Sequence, residues 1–174
     1  MGHLVNAQGI QPQPEKLQAI QEWPTPKCLR EVRAFIGLAS YYRQFVKDFA
    51  KTAEPLTALR SDSAQQAFDS IKKSLLETPV LAFPYANRPC ILDTDASDVA
   101  VGAVLSQIVD GQERPIAFFS KVMSPTQRNY CATRRELLAV VASMQHFRHY
   151  LLNSTSLWRI TIDTPRPGNV DRNY

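Results

Sequence analysis

Two apolar stretches of this chain end in acid. Cys90-Ile91-Leu92-Asp93-Thr94-Asp95-Ala96-Ser97 runs from a strand-like pattern into Asp93-x-Asp95, and Leu157-Trp158-Arg159-Ile160-Thr161-Ile162-Asp163 follows the same grammar. Aspartate is a poor strand former, so one at the end of an apolar strand is either a turn-former or a site residue. For Asp95 beside Ser97 the plain reading is an Asx- or ST-type turn. A third acid, Glu136, stands one residue from an apolar helical stripe and borders its packed face. A helix-edge glutamate is ordinarily just solvated. Strand ends and a helix edge are nevertheless rigid platforms from which carboxylates can converge. Clustered without a cation they would repel one another and raise some of their pKa values. His146 and His149, three apart, could share a metal in principle, but with no third ligand nearby they read as residues that cap and cover the sheet.

The surrounding elements follow from periodicity. Val99, Val101 and Ala103 alternate with Ala100, Gly102 and Val104, as a half- or fully buried strand would. Asp110-Gly111 signals a hairpin turn between strands over 99–109 and 114–120. Ser124-Pro125 then opens a long helix through about residue 151, with a stripe of Leu137, Val140, Val141, Met144, Phe147 and Leu151. Upstream, Gly9 to Pro14 forms a turn, residues 15–23 a short helix, and 26–45 a longer one with Thr25 as N-cap and Pro26 at its first position. Ser63-Ala64-Gln65-Gln66 reads as a capping box opening a further helix that Thr78-Pro79 ends. The implied class is α/β (α+β): a mainly helical part over 1–80 and a mixed sheet with a long packing helix over 81–174.

Composition sets bounds on function. With 174 residues and 44% hydrophobic content, the chain can bury a core as one domain or two small ones. No apolar run approaches a membrane span, and Met1-Gly2-His3-Leu4-Val5-Asn6 has neither the features of a signal peptide nor the myristoylation pattern. An intracellular location is expected. Three scattered cysteines read as thiols in a reducing compartment. Each half about residue 80 carries ten Lys/Arg against eight Asp/Glu, a mild hint of a polyanionic partner. Locally the bias sharpens: Lys27, Arg30, Arg33, Arg43, Lys47 and Lys51 face only Glu31 and Asp48. This basic helix is either a solvated face or a surface that follows a nucleic-acid backbone, with Arg30, Arg33, Arg43 and Lys47 on phosphates and Tyr41 and Tyr42 on sugars.

Longer strings narrow the choice. Leu92-Asp93-Thr94-Asp95-Ala96-Ser97 with Gly102-Ala103-Val104-Leu105-Ser106-Gln107 resembles the opening hairpin of the ribonuclease H domain, in the version found in gypsy-type LTR retrotransposon polyproteins. Tyr130, Arg135-Glu136-Leu137-Leu138-Ala139 and Phe147-Arg148-His149-Tyr150-Leu151 resemble that family's first long helix. Gly2-His3, Trp23-Pro24-Thr25-Pro26, Leu29-Arg30-Glu31-Val32-Arg33, Phe35-Ile36-Gly37-Leu38 and Ser40-Tyr41-Tyr42-Arg43 are similar to the palm end and thumb of gypsy-type reverse transcriptases. The family ordinarily has a longer stretch where this chain runs through Arg60-Ser61-Asp62, and its counterpart of the fourth strand, 157–163 here, ends in Thr-Asp-His, whereas no histidine follows Asp163.

The resemblance implies a division into reverse transcriptase palm end, thumb and connection (1–80) and a ribonuclease H-like domain (81–174) that stops short of the last strand, last helix and fourth carboxylate. It implies that Asp95, Glu136 and Asp163 are catalytic metal ligands for Mg²⁺, with Mn²⁺ as a substitute, Asp95 bridging two ions roughly 4 Å apart. The partners implied are an RNA–DNA hybrid or other duplex and the remainder of the Pol polyprotein, with no membrane. The polymerase aspartates would lie upstream, and with the fourth carboxylate missing, weak cleavage or none is expected from this chain alone. A catalytically dead remnant that grips duplex through its basic helix is the rival expectation.

Overall fold

The computed structural model describes residues 2–57, 61–152 and 159–162. The chain opens with a hairpin, β1 (His3–Asn6) and β2 (Gly9–Pro12), whose turn is held by the Asn6 side-chain oxygen accepting from the Gln8 and Gly9 N–H groups at 2.9 and 3.1 Å. Leu81 adds a bridge to this hairpin, exchanging backbone hydrogen bonds with Ile10 at 2.8 and 2.9 Å. Gly9 is required there: its φ is +144°, and a side-chain carbon would collide with the Leu81 carbonyl.

Four helices follow: α1 (Pro14–Gln21), α2 (Leu29–Tyr41), α3 (Phe49–Thr57) and α4 (Ser61–Leu76). Three starts or stops differ from expectation. The N-cap of α2 is Cys28 rather than Thr25, with no side-chain hydrogen bond to the cap; just ahead of it the Glu31 carboxylate accepts the Lys27 N–H at 2.7 Å, and the acid in the first turn complements the helix dipole. The same helix ends at Tyr41, short of Phe45. A 3₁₀ turn over Arg43–Phe45 and a left-handed Asp48 (φ 54°) redirect the chain into α3, a helix with Pro55 inside it. Finally, α4 begins at Ser61, so Ser63 lies within its first turn. Ile20, Phe35, Phe45, Phe68 and Leu75 from these elements are buried together, with the Phe35 and Phe68 rings 4.5 Å apart.

The second half is built on a four-stranded sheet in the order β5-β4-β3-β6, from β3 (Cys90–Ala96), β4 (Ala100–Val109), β5 (Gln112–Val122) and β6 (Arg159–Ile162). β3, β4 and β5 pair antiparallel and β6 runs parallel to β3, so the sheet is mixed. Asp110 and Gly111 both have positive φ (53° and 79°), the two-residue turn that matches strand twist.

The long helix is broken into α5 (Pro125–Arg128, with a capping box at Ser124), α6 (Ala132–His146, N-cap Cys131) and α7 (Arg148–Leu151). The face of α6 turned to the sheet carries Ala139 and Ser143, both fully buried, leading on to Phe147. Leu137, Val141 and Met144 are 55%, 51% and 41% exposed, so half of the expected stripe faces outward. Small residues prevail on the inner face because they let the helix axis approach the strands, and the Ser143 hydroxyl is satisfied by donating to the Ala139 carbonyl at 2.6 Å. The opposite face of the sheet is covered by the N-terminal half: α3 packs on β4 and β5, the Ser120 hydroxyl accepts the Ala50 N–H at 2.9 Å, and Phe118 joins the first core. Among the described residues no helix is long and apolar enough to cross a membrane.

Candidate metal centre and nucleic-acid interface

Strand alternation fixes which way the acids of β3 point. Leu92, Ala96, Val101 and Leu105 pack on the α6–α7 side, so Asp93 and Asp95 belong to the other face, where Asp95 is paired with Gly102. The turn after β3 belongs to Ser97. Its hydroxyl accepts the Val99 and Ala100 N–H groups at 3.3 and 3.0 Å and donates to the Ala100 carbonyl at 3.0 Å. The plain turn reading is therefore met by Ser97, and the half-buried Asp95 carboxylate lies outside that network.

Glu136 stands at the same end of the sheet on the α6 side, the face opposite the one to which Asp95 belongs. Ala139 packs with Ala96 and Val101, and Glu136, one helical turn earlier on that side, is half-buried. Its neighbour Arg135 donates from Nη1 to the Ser97 carbonyl at 3.3 Å, tying the first turn of α6 to the turn that follows Asp95. The Arg135 Nε is buried without a hydrogen-bond partner among the described residues. Asp163 lies outside the described residues. β6, which precedes it in the chain, is paired in register with β3, Ile162 opposite Thr94. Among the described residues no three His, Cys, Asp or Glu side chains converge into a metal-holding group.

A further acid at this end was not legible in the sequence. Asp48, from the turn before α3, places its Oδ1 2.7 Å from where a side-chain carbon on Gly102 would stand. Burial pushes its carboxyl above the ordinary value, the Asp95 carboxylate pushes the same way, and Lys47 and Lys51 oppose them. In the sequence Asp48 is only one of two acids in a basic stretch; its approach to β4 is a tertiary event with no local signal.

His146 and His149 make no metal pair. The His146 ring stacks on Phe119 (centroids 4.5 Å apart, planes 29° apart), and His149 lies against Tyr150 at 4.2 Å. Burial, Arg43 and His149 lower the His146 pKa below the ordinary imidazole value.

On α2, Arg30, Arg33, Gly37 and Tyr41 are all exposed and fall on one helical face. Nothing stands within 4 Å of a side-chain carbon built on Gly37, so that face is open. Arg43 and Lys47 are exposed just beyond. Tyr42 is a correction: it is fully buried, its hydroxyl donating to the Gly2 carbonyl at 3.5 Å, and offers no surface to a ligand.

The model of the RNase H-like domain found in reverse transcriptases matches residues 61–157, from α4 onwards. This chain belongs to that family. Its relatives carry the assignment along the rest of its length: it is 38% identical to the retrovirus-related Pol polyprotein from transposon opus of Drosophila melanogaster, over 90% of this chain and 18% of that protein. It is 36% identical to the corresponding polyprotein from transposon gypsy of the same organism, over 99% of this chain and 18% of the other. The transposon Tf2-3 polyprotein of Schizosaccharomyces pombe is 34% identical over 94% of this chain and 13% of its own length. The chain thus spans less than a fifth of the length of these polyproteins. The fold agrees with that of the foamy viral protease-reverse transcriptase: TM-score 0.76 at 16% identity to the form in complex with RNA/DNA hybrid, covering all of this chain and 30% of that one. The dRH form of that protein in complex with double-stranded DNA gives the same TM-score at 19% identity, covering 96% of this chain and 32% of that one. As an RNase H-like domain of the reverse transcriptase type, the chain has its sheet, its packing helix and its helical N-terminal half in the arrangement of that fold.

Proposed function

We propose that this chain is the thumb-and-connection to ribonuclease H segment of a retrotransposon Pol polyprotein, and that it takes part in divalent-metal-dependent hydrolysis of the RNA strand of RNA–DNA hybrids. The observation that carries the reading is the pairing of an uncommitted Asp95 carboxylate at the end of β3 with an α6 fastened to the same strand end through Arg135 and Ser97. That fastening brings the Glu136 turn to the end of the sheet where Asp95 stands. The family resemblance adds Asp163 as the third oxygen donor.

Carboxylate oxygens are the donors Mg²⁺ prefers, and because Mg²⁺ keeps several waters, few protein ligands suffice. Bound by Asp95, Glu136 and Asp163, it would supply activation of a water and stabilisation of the departing oxygen at the scissile phosphate. The protein's part is placement. Asp95 is held on a strand, Glu136 on a helix edge, and the Ser97 turn with Arg135 fixes the spacing between those two elements. The α2 face of Arg30, Arg33 and Tyr41, extended by Arg43 and Lys47, would follow the duplex backbone and hold the hybrid. The remainder of the polyprotein is the expected covalent partner, supplying RNA-directed DNA synthesis.

A second reading, a module that binds duplex and cleaves nothing, is favoured by one observation: the described residues alone do not bring three metal donors together. Hybrid cleavage in Mg²⁺ or Mn²⁺ by the intact chain and by Asp95→Asn separates the two. Cleavage that disappears on substitution supports the nuclease; equal background from both chains selects the binder.

A further inference from the structure

A cleft of about 400 Å³ opens between the end of α2 and the edge of the sheet at β5, bordered by the end of α6. This is within the range of clefts that hold small ligands. Its walls are two stacked ring pairs. On one side His3 lies on Tyr41 with centroids 5.1 Å apart and planes 17° apart; on the other, His146 lies on Phe119. Arg43 brings the only full charge among the described residues lining it, and Gln44, placed 3.4 Å from the His3 Nε2, adds amide hydrogen-bonding groups.

Each feature restricts the occupant. Flat rings on both sides favour a planar aromatic group over an aliphatic chain or a peptide. A guanidinium with no carboxylate among the residues lining the cleft favours an anion. A planar aromatic group joined to an anion is the chemistry of a nucleotide, and aromatic side chains with a nearby cation are how single-stranded nucleic acid is held without regard to sequence. A duplex cannot enter, because its bases are stacked on one another and only an unpaired one can be inserted between protein rings.

We propose that this cleft takes one unpaired nucleotide of a nucleic-acid strand, its base against the His3–Tyr41 and Phe119–His146 pairs and its phosphate on Arg43. The proposal deepens the reading that the chain binds nucleic acid and rests on it. It gives the junction between the two halves a ligand of its own, adjoining the α2 face, with which it shares Tyr41 and Arg43, and apart from the Asp95 end of β3.

The test compares three probes on the full chain by fluorescence anisotropy: a blunt RNA–DNA hybrid, the same hybrid with a short single-stranded extension, and the extension alone. The extension is expected to tighten hybrid binding by about tenfold, the scale of one base–aromatic stack. Phe119→Leu and His146→Ala should each bring the ratio of extended to blunt affinity, taken within each variant, close to one. His146 is exposed, so His146→Ala tests the cleft even where Phe119→Leu perturbs folding. A ratio of one in the intact chain, or a gain that survives both substitutions, overturns the cleft. Blunt-hybrid binding with no gain from the extension leaves the duplex reading standing and removes this one. Single-strand binding lost in His146→Ala, with no blunt-hybrid binding, does the reverse; no binding of any probe removes both.

Discussion

The Asp48 carboxylate lies against Gly102, its Oδ1 2.7 Å from the position a side-chain carbon there would take, and Gly102 is the strand partner of Asp95. A residue of the helical half is thus seated on the sheet beside the proposed metal end. The seat is made by backbone as well as by side chain: Asp48 is left-handed, and two residues later the Ala50 N–H donates to the Ser120 hydroxyl.

Gly102→Ala should unseat this strap. The new methyl meets the end of a short, half-buried side chain, and we expect a loss of about 1–3 kcal/mol, the usual cost of overpacking. Combined with Asp48→Ala, which vacates the space, the loss should be clearly smaller than the two single effects added together. Urea denaturation of the four chains measures the cycle; additive losses would show that Asp48 does not occupy the space over Gly102.

Asp48 also gives stability a pH dependence. Its carboxyl is raised above its ordinary value of 3.8, mainly by burial, so the folded state holds this proton more tightly than the unfolded chain does. Between the two pKa values stability falls as pH rises, and above the folded value the whole cost of the buried charge is present. Asn tolerates the left-handed backbone. Asp48→Asn should therefore melt higher than the intact chain at neutral pH, and the two curves should converge as pH falls toward 3.8. Melting in EDTA across that range checks this; a gap independent of pH contradicts it.

The outward stripe of α6 predicts a contrast within one helical segment. Leu137→Ala and Val141→Ala, at exposed positions, should change stability by no more than about 0.5 kcal/mol. Phe147→Ala, at a fully buried one, should cost about 3–5 kcal/mol. Chemical denaturation that found Leu137→Ala as costly as Phe147→Ala would reverse the assignment of faces.

That contrast marks where the sequence was readable. The antiparallel strands were legible because alternation and Asp110-Gly111 are local signals, and β4 lies within one residue of the expected range. The faces of α6 were not, because hydrophobicity points to Leu137 and Met144 whereas close approach to a sheet selects Ala139 and Ser143. Helix α3 was hidden by Pro55, and the N-cap of α2 fell on Cys28, three residues past Thr25. At the site, Asp95 and Glu136 were both marked by pattern and family strings. Asp48 was missed because its partner Gly102 is distant in the chain and nothing near either residue announces their meeting.

For the basic face, Arg30→Ala with Arg33→Ala should weaken hybrid binding and lower the slope of log affinity against log salt by about 2, one for each phosphate no longer neutralised. Tyr42→Phe, at a buried position, should leave that slope unchanged. A slope unaffected by the double arginine substitution would remove α2 from the interface.

The central claim is that Asp95 and Glu136, carried by different layers, serve one metal site, and Mn²⁺ titration followed by NMR line broadening tests it most directly. The amide signals of Asp95 and Glu136 should broaden together at the same Mn²⁺ concentration, and Asp95→Asn should abolish both effects. Broadening at Asp95 with Glu136 untouched, or at neither, would contradict it.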